Sequence, residues 1–245
     1  MASKQKTNQT VQMATLEQLR QLIAIMVQAI PVRITYAQAQ HWIGHARELA
    51  AKIRGIFAVA DPYHELLAAW ERFYRDTFSW HFMDLSRLVV PPKPDGSYRL
   101  IVVVPGITIE QVLTAYAAKD IKVWRWTNDN LDAITDSDRS AAAGPYAIWV
   151  RDTQEAHLEH AGKSYDQLKT VGVPGMTLLE RLILELVYFL ETGKHLDVTN
   201  VTLCSGSLYH VGHVPLVYFS AGKVRVCWCN RFSAFGLLRC REAVV

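Results

Sequence analysis

The chain is 245 residues long, 50% hydrophobic and 20% charged, with a formal net charge of +3. That balance excludes a disordered chain, which needs fewer apolar residues and a larger net charge. Thirteen glycines and nine prolines are too few for a collagen-like or low-complexity protein, and the length suits one large domain or two small ones.

The net charge conceals a layout. Residues 1–60 carry a net +5, 61–100 a net −1, 101–200 a net −5 and 201–245 a net +4. Basic ends around an acidic middle are compatible with a nucleic-acid face, or with self-association between unlike ends. The basic residues form no run, so a solvated surface is the plainer reading. The most apolar stretches, 22–32 and 178–190, are broken by Gln28 and Pro31 in the first and by Glu180, Arg181 and Glu185 in the second. A spanning helix needs ~20 mostly apolar residues, so no membrane partner is expected. The first ten residues are polar, carry Lys4 and Lys6, and lead into no secretory apolar core. Cys204, Cys227, Cys229 and Cys240 all fall near the C-terminus and are too few for a disulfide scaffold. Reduced thiols and a cytoplasmic location are the expectation.

In chain order, residues 1–14 read as a disordered tail and 15–90 as a helical portion. Thr15 with Gln18, and Thr35 with Gln38, are capping-box pairs. Leu16, Leu19, Leu22, Ile23 and Met26 form one stripe at helical spacing; Trp42, Ala46, Leu49, Ile53 and Ile56 form a second. Asp61-Pro62 signals a third helix start, followed by Leu66, Leu67, Trp70, Phe73, Tyr74 and Phe78 on one face. These stripes are expected to bury against one another or against a sheet. The segment 91–97, PPKPDGS, is the expected boundary before a mixed α/β portion, 98–245.

There, residues 98–104 read as a strand, Thr108 with Gln111 starts a helix, and 121–126 read as a second strand. This is a βαβ pattern, which predicts parallel strands in one sheet. Residues 127–143 read as a long acidic loop and 146–150 as a third strand. Thr177 with Glu180 caps a helix that ends at Gly193. Residues 198–204 form another strand, and 214–219 and 224–230 flank the turn Ser-Ala-Gly-Lys as a hairpin. The expected fold class is α+β: a helical N-terminal portion, a central βαβ-containing mixed sheet, and a β-rich C-terminus packed on a long amphipathic helix.

The stretch from Thr177 to about Phe219, TLLERLILELVYFLETGKHLDVTNVTLCSGSLY and then VPLVYF, resembles a module of uncharacterised bacterial proteins with no assigned function. The resemblance implies a prokaryotic origin; it brings no activity, cofactor or site.

Several residue groups carry candidate chemistry. If the three central strands lie parallel in one sheet, their carboxyl ends share an edge, where open α/β sheets bind ligands. That edge would gather Gly106, Trp126 and Asn128 as ligand-binding candidates, and Arg151, Asp152 and Glu155 as catalytic ones. The plainer alternative is a surface Arg–Asp pair. Cys204, Cys227, Cys229, His210 and His213 include enough ligand types for zinc, but their spacing lacks paired C-x-x-C knuckles, which favours ordinary core cysteines. His157 and His160, near Glu155 and Glu159, suit zinc or iron, although no third ligand is fixed and a solvated helix face is the plainer reading. His41 and His45 stand four apart, but Trp42 occupies the position where a metalloprotease motif needs glutamate. Pro94-Asp95 with Asp120-Ile121-Lys122 echoes a nuclease pattern, although Asp95 is explained by its turn. Trp124 and Trp126 are more at home in a core than stacked on bases.

Three functions are carried forward: a non-enzymatic binding or interaction protein with a protein partner or self-association; a metal-dependent hydrolase or nuclease; and a nucleic-acid-binding protein using the basic ends. No cofactor is assigned.

Overall fold

A computed structural model of the chain describes residues 14–31, 33–57, 62–81 and 83–245. It is an α+β fold in two compact units, divided after Asp61. The expected boundary at 91–97 is thus displaced. The third helix belongs with the sheets, because its Leu67, Trp70 and Tyr74 are buried in their core and the Tyr74 hydroxyl donates to the Val102 carbonyl at 2.8 Å. The start signal at Asp61 lies outside the described residues, as does most of the N-terminal tail.

The first unit holds α1 (Leu16–Gln28), α2 (Tyr36–Gly44) and α3 (Ala46–Phe57). Both expected capping boxes form: the Thr15 and Thr35 hydroxyls accept from the amides of Gln18 and Gln38, whose side chains reach back to the cap amides. These bonds satisfy donors that a helix start otherwise leaves free. The expectation that the stripes bury is not met here, since neither α1 nor α2 has a buried residue.

The second unit begins with α4 (His64–Phe78) and continues through β1 (Tyr98–Val103), α5 (Ile109–Ala118), β2 (Val123–Arg125), α6 (Leu131–Ile134), β3 (Thr135–Ser137) and β4 (Tyr146–Arg151). A 3-10 turn (Leu158–His160) and α7 (Tyr165–Thr170) precede the central helix α8 (Leu178–Thr192). The chain ends through β5 (Val201–Leu203), β6 (Ser207–Tyr209), β7 (Val214–Ser220), β8 (Lys223–Cys229) and β9 (Leu238–Cys240).

The βαβ expectation is corrected. β1 pairs antiparallel with β4, from Tyr98 opposite Arg151 to Val103 opposite Tyr146, while β2 joins a different, five-stranded sheet of order β2-β8-β7-β5-β9. In that sheet the inner pairs are antiparallel and both outer pairs, β2–β8 and β5–β9, are parallel. Strand content and the helix between were readable locally. The partner of β2 lies a hundred residues away, where only tertiary packing selects it.

The five-stranded sheet alternates sides as period two requires. Val217, Val224 and Val226 face the main core with α8, while Leu203, Leu216, Cys229 and Leu238 face a second cluster closed by Tyr165 and Leu168 of α7. The turn between β7 and β8 is tighter than Ser-Ala-Gly-Lys suggested. Ser220 pairs with Lys223, leaving Ala221 and Gly222, both at positive φ (50° and 71°), as a two-residue turn.

α8 exists where expected. It packs against α5, β1 and β7, and Glu180, Arg181 and Glu185 are as buried as Leu178, Leu182, Leu184 and Leu186. Among the described residues, no helix is long and apolar enough to cross a membrane.

Candidate functional site

The first candidate site is a groove of about 460 Å³ in the second unit, between α4 and α8 and floored by β1 and β4. The helical period of α4 sends Trp70 and Phe73 to its wall, and α8 contributes Val187 and Leu190. Leu100 and Trp149 form the floor. Trp149 is fixed by its indole N–H, which donates to the Pro91 carbonyl at 2.8 Å, and by the Tyr63 ring at 5.6 Å. A cleft of this size, apolar with a few polar groups at its edge, is the usual form of a ligand site.

The charges at the rim are unevenly matched. Arg99 donates to Asp152 at 3.1 Å and to Glu191. Burial works against its charge, yet the carboxylates of Glu191 and Asp152 hold its pKa above the ordinary range. Those three groups are committed to one another. Lys93 sits with its ammonium 5.7 Å over the Trp149 ring and, among the described residues, has no ion-pair partner.

Beneath the groove, α8 is anchored by two buried ionic networks. Arg181 donates to Asp197 (2.8 and 3.0 Å) and Glu185 (2.9 Å). Arg241 donates to Asp197 from the other side at 2.6 Å and to the carbonyls of Thr153 and Gln154. Two arginines and two carboxylates balance. The coulombic attraction of Arg241 and Arg181 outweighs burial and holds the Asp197 carboxyl below its ordinary pKa. At the other end, Glu180 accepts from Arg139 (2.6 and 2.7 Å), the Tyr146 hydroxyl and the Thr177 amide. These networks fix elements; the side chains of Glu180, Arg181, Glu185, Asp197 and Arg241 are enclosed.

The expected sheet-edge site does not assemble. Because β1 and β4 run antiparallel, the end of one lies beside the start of the other, so Gly106 and Arg151 fall at opposite ends of the pair. Gly106, in a left-handed turn at φ 86°, approaches Trp80. Trp126 packs against Tyr209 and Trp228, and Asn128 is exposed. Asp152 lines the groove through its bond to Arg99. Glu155 accepts from the amides of Val198 and Thr199, a structural role, and Arg151 pairs with Glu159.

The cysteine–histidine set does not converge either. Cys204 lies in the main core, whereas Cys227 and Cys229 face the second cluster across the sheet. His213 stacks on Trp228 at 3.8 Å, and exposed His210 stands 3.5 Å from Asp136. Of the remaining motifs, His41 and His45 stack on each other, and Asp120 occupies a turn at φ 57°. Trp124 is 40% exposed, with the Arg225 guanidinium 5.4 Å from its ring.

His157 and His160 depart from the solvated face expected of them: they are only 4% and 6% exposed. Burial, reinforced by the Arg151 charge, pushes the His157 imidazole down to about 4, and burial also lowers His160. Burial thus favours the neutral form of both rings. The groove itself was beyond sequence reasoning, because its walls come from segments more than a hundred residues apart. Comparison with protein-family models, with curated proteins and with solved structures finds no match to this chain.

Proposed function

We propose that the protein is a non-enzymatic binding protein whose α4–α8 groove takes the aliphatic or aromatic part of a partner bearing an anionic group. The observation that carries this reading is Lys93. The groove is apolar, its Asp152 and Glu191 are both paired with Arg99, and the ammonium over Trp149 is, among the described residues, the rim charge without an ion-pair partner. A cation beside an aromatic floor, here the exposed Lys93, favours a ligand that joins a negative charge to an apolar body. The aromatic sulfonate anilinonaphthalene sulfonate combines the two features. Saturable binding of this probe to the folded protein, lost when Ala69→Trp fills the groove, tests the reading.

A second reading, single-stranded nucleic acid, has one observation in its favour: the exposed Trp124 under Arg225 at the edge strand β2. Stacking of that kind is sequence-tolerant and salt-dependent. Oligonucleotide binding that weakens with salt and falls in Trp124→Ala supports it.

A further inference from the structure

We infer that His157, His160 and Glu159 form a binding site for a divalent transition-metal cation, zinc above all, distinct from the groove. Among the described residues, these three are the group of metal-ligating side chains whose donor atoms all lie within 4.8 Å of one another. Two imidazoles and a carboxylate are the donor set of open, three-ligand zinc sites, which leave a position for water.

An independent observation points the same way. Nε2 of His157 and both ring nitrogens of His160 are buried without a hydrogen-bond partner. Buried polar atoms in native proteins are nearly always satisfied, and three orphaned nitrogens on adjacent rings call for a ligand. A cation accepts lone pairs from both rings at once. The exposed Glu159 side chain leaves a path from solvent. Glu242 supplies the outer contact: its carboxylate lies 3.9 Å from His160 Nε2. Its amide donates to His157 Nδ1 at 3.4 Å, a long bond that is given up if His157 ligates through Nε2 with its proton on Nδ1.

The groups facing the site also set its affinity. Arg151 holds one oxygen of Glu159, and Arg151, Lys163 and Arg241 all place positive charge near the rings. A cation must share Glu159 with Arg151, so removing that guanidinium should tighten binding.

The test is titration of the purified full chain with cobalt(II), read by its visible spectrum, and with zinc in competition against a chromophoric chelator. The expected result is one saturable site with visible d–d bands and no thiolate charge-transfer band. Binding should weaken roughly a hundredfold in His157→Ala and His160→Ala, and about tenfold in Glu242→Gln. Arg151→Gln, a half-exposed change that spares the ligands, should bind about fivefold tighter. No stoichiometric binding by the folded wild type, a thiolate band, or affinity unchanged in His160→Ala and Arg151→Gln would overturn the assignment.

Discussion

Arg241 donates to Asp197 at 2.6 Å across the interior, and both side chains are wholly enclosed. The bond ties the residue that follows β9 to the loop after α8, and through Arg181 to α8 itself. A buried ion pair adds little over a well-packed apolar pair, but breaking one leaves an uncompensated charge. Asp197→Asn is therefore expected to lower unfolding free energy by about 3–5 kcal/mol in urea denaturation. The pH dependence follows from the same pair. The folded Asp197 carboxyl titrates below its ordinary 3.8, so its stabilisation is complete above that value and is lost as pH falls through the folded value. Asp197→Asn should flatten the acid limb of the stability curve.

Gly206 lies where two backbones cross. A Cβ there would sit 2.6 Å from the Gly175 carbonyl oxygen and 2.9 Å from the Met176 carbonyl carbon. Neither atom is the end of a flexible side chain. Gly206→Ala should cost about 3 kcal/mol or more, whereas Gly236→Ala, which meets nothing within 4 Å, should be nearly neutral. Thermal denaturation of the two variants checks this.

Ala221 holds a left-handed conformation at φ 50° in the β7–β8 turn, before Gly222 at φ 71°. Two-residue hairpins of this kind favour Asn-Gly, because a Cβ in that region is strained. Ala221→Asn is expected to raise stability by about 0.5–1 kcal/mol, read as an increased denaturation midpoint.

The thiols should divide by accessibility. Burial pushes Cys204 up, and Cys229 and Cys240 up to about 11, while Cys227 is partly exposed. A thiolate is the reacting species. With Ellman's reagent at neutral pH, one thiol should react quickly in the native protein and all four after unfolding; Cys227→Ser should remove the fast phase.

What the sequence made legible was local chemistry. The pairs Thr15–Gln18, Thr35–Gln38, Thr108–Gln111 and Thr177–Glu180 all form capping boxes. They are legible because every partner lies within one turn. Ser164–Gln167 forms the same box but lacked an apolar run behind it to mark a helix. Pairing was not legible: β1 and β2 flank α5 as a βαβ unit would, yet they enter different sheets. The burial of the α8 charges was not legible because their partners Arg139 and Asp197 lie outside the helix, 41 residues from Glu180 and 16 from Arg181. The histidines 157 and 160 were noticed by spacing, but their burial is imposed by the C-terminal strand, whose Cys240 carbonyl accepts from the His157 amide.

The groove is the centre of the functional account, and the tryptophan indole resonances report on it directly. In a two-dimensional NMR titration with anilinonaphthalene sulfonate, the indole signals of Trp70 and Trp149 are expected to shift together along one saturable curve, with Trp124 and Trp228 unmoved. In Lys93→Glu the same curve should require about fivefold more probe. Shifts confined to Trp124 or Trp228, or groove signals that stay fixed while the probe binds, would contradict the assignment.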